Sequence, residues 1–117
     1  MFNWGSKSDN KAPPTLEELT AQNRCVMFTM AHCPWCTKAE EFLVKKKLKC
    51  HSVDLQENQF LAFEVMKATS QRTVPNIFID GAHVGGHDSL LQKFDQCVKD
   101  KKNEEVYCNY FRGNRRQ

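Results

Sequence analysis

Cys33-Pro34-Trp35-Cys36 sets two thiols three residues apart, at the point where one kind of periodicity gives way to another. Upstream, Cys25-Val26-Met27-Phe28-Thr29-Met30 is a short apolar run of strand length, and Ala31-His32 read as a turn. Downstream, residues 37–47 place Ala39, Phe42 and Leu43 among Lys and Glu, the pattern of an amphipathic helix. The pair is therefore expected at a strand-to-helix junction, with Cys33 at the helix N-terminus. Unpaired backbone N–H groups and the helix dipole favour a thiolate there, and lower a cysteine pKa of about 8.5 to roughly 3.5–7.5. Pro34 suits the first helical turn, because it has no N–H to lose and its φ is already helical.

Two other chemistries use the same spacing. A structural zinc site needs two more ligands, usually as a second closely spaced pair, and Cys50 with His51, Cys97 and Cys108 lack that spacing. An inert bridge across two intervening residues constrains little unfolded-chain entropy. A redox pair is favoured over both. His51, His83 and His87 give no metal-ligand spacing, so no metal is expected. His32 is read as solvent-facing, with no second group placed to orient it as a base.

The rest of the chain builds outward from that junction. Residues 1–14 are polar, end in Pro13-Pro14 and read as a flexible lead-in. Thr15-Leu16-Glu17-Glu18 is a capping box that opens a short helix to about residue 22. Residues 49–55, with Cys50, Val53 and Leu55 among polar neighbours, read as a second strand. The intervening helix makes a right-handed crossover, and hence a parallel strand pair. Residues 57–69 carry Phe60, Leu61, Phe63, Val65 and Met66, mostly on one helical face. Val74-Pro75-Asn76-Ile77-Phe78-Ile79 is a third strand, Asp80-Gly81 a hairpin turn, and Ala82-His83-Val84-Gly85 the returning strand. Residues 88–99 form another amphipathic helix, and 103–111 a last helical stretch. This order predicts an α/β fold of thioredoxin-like arrangement, a four-stranded mixed β-sheet flanked by helices on both faces. The domain is placed at 15–111, followed by a basic tail at 112–117.

Composition bounds the setting. A chain of 117 residues is one domain, able to bury a modest core without disulfides. Residues 1–8 hold no apolar stretch of the kind a secretory signal carries, and no run approaches the roughly 18 apolar residues of a membrane span. The expected context is a reducing, cytoplasmic one with free thiols. Cys25 and Cys50 are accordingly read as small core residues on strands. Cys97 and Cys108 are left open between oxidation, glutathionylation and dimer linkage. The net charge of +3, from 17 basic and 14 acidic residues, is too mild to indicate a nucleic-acid partner. The basic clusters at 45–49 and 112–116 are read as a solvated helix end and a frayed terminus.

Three stretches in register carry a more specific signal. Cys33-Pro34-Trp35-Cys36, then Arg72-Thr73-Val74-Pro75-Asn76-Ile77-Phe78-Ile79, then Gly85-Gly86-His87-Asp88 resemble the three signatures of a dithiol glutaredoxin, in that family's order and separations. The resemblance spans residues 15–99. It implies a glutathione-dependent thiol–disulfide oxidoreductase acting on protein–glutathione mixed disulfides and small disulfides. Cys33 is then the nucleophile, and Cys36, one turn further in, the resolving thiol. A low-pKa thiol serves both as attacking group and as leaving group.

The same resemblance implies a cis Val74–Pro75 bond facing the active cysteine, with the Val74 backbone pairing strand-fashion with the cysteinyl unit of glutathione. It puts the γ-glutamyl carboxylate on the N–H groups of Asp88 and Ser89 at the helix following Gly85-Gly86. Arg72 reaches the glycyl carboxylate, and Trp35, Thr73 and Gly86 line the rest of the site. Met30 and Ala62 stand where relatives often have a lysine and a glutamine for the glycyl carboxylate, which shifts that contact onto Arg72, with Lys38 read either as a further source of charge or as solvated. Glutathione is the implied cosubstrate, re-reduced by a separate glutathione reductase, since no dinucleotide motif is present. Glutathionylated and disulfide-containing proteins are the implied partners, and the chain is expected to be a monomer. The alternative function is a dimer bridged by a 2Fe–2S cluster on the nucleophilic cysteine and two glutathiones, against which Pro34 argues.

Overall fold

The computed structural model describes residues 13–115. The expected lead-in over 1–14, apart from Pro13 and Pro14, and the last two residues of the basic tail lie outside the described residues. Helix α1 (Leu16–Gln22) begins at the expected capping box. The Thr15 hydroxyl accepts from the Glu18 N–H at 3.1 Å, and the Glu18 carboxylate accepts from the Thr15 N–H at 2.9 Å. Strand β1 (Cys25–Thr29), helix α2 (Pro34–Lys45) and strand β2 (His51–Asp54) follow. The second strand is shorter than expected. The Asp54 carboxylate accepts from the Gln56 N–H at 2.8 Å and turns Leu55–Glu57 into a 3-10 turn, which buries Leu55. Helix α3 (Gln59–Thr69), capped by Asn58, leads to the hairpin of β3 (Asn76–Ile79) and β4 (Ala82–Gly85), and then to α4 (His87–Lys99) and α5 (Val106–Phe111).

The sheet order is β2-β1-β3-β4. Strands β1 and β2 run parallel, and β3 pairs antiparallel with both β1 and β4, which is the expected mixed sheet. The inner strands β1 and β3 are buried on both sides, as strands covered by helices on two faces must be. Side chains alternate along them. Cys25, Met27, Ile77 and Ile79 join a core with α2, α4 and α5, whereas Val26, Phe28 and Phe78 join a second core with α1 and α3. Among the described residues no helix is long and apolar enough to cross a membrane.

The cysteines overturn the expectation of free thiols. All six are paired, as Cys25–Cys50, Cys33–Cys36 and Cys97–Cys108. The parallel register sets Val26 beside His51, so Cys25 and Cys50 are neighbours just before the ladder begins, with Cα atoms 4.5 Å apart. Cys97 and Cys108 meet where α5 lies across α4, both fully buried and 5.2 Å apart at Cα. A helix as short as α5 has little intrinsic stability, and the bridge ties it to the core along with Tyr107, Tyr110 and Phe111.

The tail departs from the expected frayed terminus as well. Arg112 donates to the carbonyls of Cys97 at 3.1 Å and Asp100 at 2.9 Å, which seats it on the C-terminal end of α4.

Candidate active site

Cys33 ends the turn after β1 and is the N-cap of α2, in extended backbone. Its Sγ lies 3.1 Å from the Cys36 N–H, which donates to it, and 3.7 Å from the Val74 carbonyl. Pro34 occupies the first helical turn, as expected. Cys33 is partly exposed, while Cys36 lies one turn deeper and is only 4% exposed. The two sulfurs are bonded, so the structure holds the oxidised pair. Opening it places a thiolate where the first-turn N–H groups of α2 converge.

A groove of about 270 Å³ runs beside this pair, bounded by Trp35, the Thr73-Val74-Pro75 loop and the residues Gly86 to Ser89. The Val74–Pro75 peptide is cis. Gly86 lies against the loop, where an added Cβ would make an ordinary van der Waals contact of 3.5 Å with the Pro75 carbonyl. Gly85 has φ +114°, and an added Cβ meets the Ser89 side chain at 3.0 Å, so the turn into α4 requires glycine at this position. Gly86 caps α4 without a side-chain hydrogen bond, which leaves the first-turn N–H groups of the helix to whatever enters the groove.

The structure gathers Trp35, Thr73, Val74, Pro75, Gly86, Asp88 and Ser89 around one groove. Arg72 is not among its walls. It is exposed one residue outside and lines a separate cavity with Phe63, Met66, Lys67 and Ser70. Lys38 is also engaged, its Nζ 4.6 Å from the centroid of the half-exposed Trp35 ring. Met30 and His32 lie on the other side of the nucleophile, in a cavity with Cys33, Thr37 and Glu40. His32 is exposed at φ +60°. Ala62 packs on the Val26 core face rather than toward the groove.

Two further residues shape the groove. Gln71 donates from Nε2 to the carbonyls of Thr73 at 2.9 Å and Pro75 at 3.0 Å, which pins the loop on both sides of Val74. No local pattern marks that glutamine, because its partners are backbone atoms in an irregular segment. His87 lies against Trp35, with ring centroids 5.1 Å apart, and its Nδ1 is 3.0 Å from the Asp88 carboxylate. The Gly-Gly-x-Asp spacing fixed the location of this residue, yet says nothing about its side chain.

Behind the loop, the buried Asn76 anchors β3. Its Nδ2 donates to the Thr69 hydroxyl at 3.1 Å, and its Oδ1 is 2.8 Å from His83 Nε2. Burial, and then the charge of Lys93, hold the His83 imidazole below its ordinary pKa.

The family model for glutaredoxin matches residues 25–84. A glutaredoxin of Ricinus communis is 36% identical over 83 residues, covering 68% of this chain and 81% of that protein. Glutaredoxin-1 of Rhizophagus irregularis is 39% identical over 83 residues, covering 68% and 82%. Among solved structures, a buckwheat glutaredoxin–glutathione complex superposes with a TM-score of 0.64 at 27% identity, over 71% of this chain and 87% of that one. The dithiolic glutaredoxin 2-C-Grx1 of Trypanosoma brucei brucei does so with a TM-score of 0.64 at 28% identity, over 76% and 94%.

Proposed function

The chain belongs to the glutaredoxin family and is a thiol–disulfide oxidoreductase, and from that premise we propose that glutathione is its cosubstrate and protein–glutathione mixed disulfides and small disulfides its substrates. The observation that carries the reading is the groove beside Cys33, with the Val74 carbonyl 3.7 Å from the sulfur on one wall and the uncapped end of α4 on another. It has the size and donors for a short extended peptide bearing a carboxylate. The cysteinyl unit pairs with the Val74 backbone, and the γ-glutamyl carboxylate takes the N–H groups of Asp88 and Ser89. Arg72 turns from its place beside Lys67 to meet the glycyl carboxylate.

In the reduced enzyme the Cys33 thiolate attacks the glutathionyl sulfur of a mixed disulfide. The protein thiolate leaves and takes a proton, and glutathione remains on Cys33. A second glutathione thiolate attacks that glutathionyl sulfur, releasing glutathione disulfide and the Cys33 thiolate. In the dithiol route Cys36 instead attacks Cys33, expels glutathione and closes the bridge seen here. A separate glutathione reductase returns the disulfide to thiol. The same reading places the chain as a monomer exchanging with a glutathione pool.

The test is turnover of a glutathione mixed disulfide coupled to glutathione reductase, for the native chain, Cys33→Ser and Cys36→Ser. Loss of activity in Cys33→Ser with activity retained in Cys36→Ser supports the assignment. Inactivity of the native chain with glutathione refutes it.

A further inference from the structure

The Cys25–Cys50 bridge lies at the opposite end of β1 from the active turn. Strand β1 rises about 3.3 Å per residue, so its two ends are roughly 13 Å apart, and neither Cys33 nor Cys36 can reach Cys25 or Cys50 without unfolding. Cys25 is 2% exposed, but Cys50 is partly exposed, just ahead of the edge strand β2. Both sulfur-bearing residues line a cavity of about 530 Å³, against 270 Å³ for the groove beside Cys33.

The walls of this cavity are one-sided in charge. Arg24, Lys47 and Lys49 contribute to them, and no carboxylate does. Arg24 is already matched by Asp80, with Nε and Nη2 at 2.9 and 2.8 Å from the two carboxylate oxygens. Lys47 and Lys49 have no ion pair among the described residues, so their charge is available to a solute entering the cavity. The floor is held by Tyr110, whose hydroxyl donates to the Lys49 carbonyl. The combination is a disulfide with one enclosed and one partly exposed cysteine, beside a cationic vestibule large enough for a small peptide.

We propose that Cys25–Cys50 is a second exchange site, at which a low-molecular-weight thiol bearing carboxylates is drawn in by Lys47 and Lys49 and forms a mixed disulfide with Cys50. The incoming thiolate bonds to the Cys50 sulfur, the Cys25–Cys50 bond breaks, and the Cys25 thiolate leaves and takes up a proton. A second thiolate then attacks the small-molecule sulfur, so that Cys50 leaves and the free disulfide of the small thiol carries away the oxidising equivalents. The reverse sequence closes the bridge. Cys50 is the sulfur attacked because its partner is enclosed in the core. Opening the bridge removes the covalent tie between Cys50 and the start of β1, leaving the Lys49 carbonyl on the Tyr110 hydroxyl and the short edge strand β2 held by its ladder, the Ser52–Glu40 hydrogen bond and the packing of Val53.

The full chain carrying Cys33→Ser and Cys36→Ser is incubated with reduced glutathione, uncharged 2-mercaptoethanol or cationic cysteamine, quenched with acid and mapped by mass spectrometry. The expected result is an adduct on Cys50 with Cys25 free. The rate per thiolate should favour glutathione by on the order of ten-fold, as expected for electrostatic attraction, and that preference should fall in Lys47→Gln/Lys49→Gln and in high salt. Hydrogen exchange on the unmutated chain gives a second reading, with protection over residues 47–54 falling on treatment with glutathione. The proposal is overturned if Cys50 gains no adduct, if Cys25 is the residue modified, or if the three thiols react alike. The readout is independent of turnover at Cys33, so it stands or fails apart from the active-site assignment.

Discussion

Replacing Cys97 and Cys108 together by alanine removes the bridge between α4 and α5 and leaves every hydrogen bond of the groove in place. The two cysteines are eleven positions apart, and loop-closure entropy for a ring of that size gives about 3 kcal/mol of lost stability. For 117 residues, an unfolding entropy of about 2.1 cal/mol/K per residue makes each kcal/mol worth about 4 °C, so Tm should fall by roughly 12 °C. The variant should still fold, because Tyr107, Tyr110 and Phe111 keep α5 packed on the sheet, with the Phe111 ring edge-on to Phe94 at 5.5 Å. Turnover should be unchanged, since Cys97 is ten positions from His87, about 15 Å along α4. Scanning calorimetry and the coupled mixed-disulfide assay measure the two quantities. A fall in Tm below about 4 °C would show that packing alone secures α5, and that the bridge contributes less than about 1 kcal/mol. A matching fall in turnover would refute the separation of the two ends of α4.

Gly85→Ala forces a Cβ to within 3.0 Å of the Ser89 side chain at φ +114°. It should cost about 1–3 kcal/mol by denaturant unfolding and raise KM for the glutathione mixed disulfide more than it lowers kcat. Asn76→Ala strips partners from Thr69 and His83, and a loss of about 1–3 kcal/mol is expected in the same measurement. Because the folded His83 pKa lies below its unfolded value of 6.5, the unfolded chain binds more protons as pH falls below that value. Denaturant midpoints should therefore decline on acidification through pH 6.5 and below, and decline less in His83→Gln. At the other extreme, burial pushes the Tyr110 phenol far above its ordinary value, so the folded state keeps a proton that the unfolded state releases. Stability should fall as pH rises above about 10, and Tyr110→Phe should flatten that slope.

The elements around the active turn were legible because each rests on local chemistry. The capping box at Thr15, the proline at Cys33-Pro34 and the alternation of Met27, Ile77 and Ile79 against Val26, Phe28 and Phe78 are properties of a few adjacent residues. The groove was legible through three spaced motifs, each of which fixes backbone geometry. What escaped the sequence depends on tertiary register. Cys25 meets Cys50 because the parallel ladder begins just after both, and Cys97 meets Cys108 because a six-residue helix folds back on α4. Read as an isolated stretch, residues 112–116 are a basic tail; only the exposed carbonyls at the end of α4 give Arg112 its place. Gln71 was invisible for a similar reason, since its partners are the carbonyls of an irregular loop.

The charges near the groove define how it recognises an anion. Lys38 rests over Trp35, His87 lies against Asp88, and Arg72 stands beside Lys67 outside the walls. The fixed backbone groups that face the groove are therefore the Val74 carbonyl, an acceptor, and the first-turn N–H donors of α4. Backbone groups hold their direction without ordering a side chain, so a ligand meets them at little entropic cost. They also cannot be repositioned, which makes the spacing between the Val74 strand and the α4 terminus the main determinant of fit. Gln71 and Gly85 act on that spacing, the first by tying down the loop and the second by allowing the turn into α4. Recognition by fixed backbone at the active turn and by lysines around Cys25–Cys50 would give the two disulfides different selectivity, although both sit at ends of the same strand.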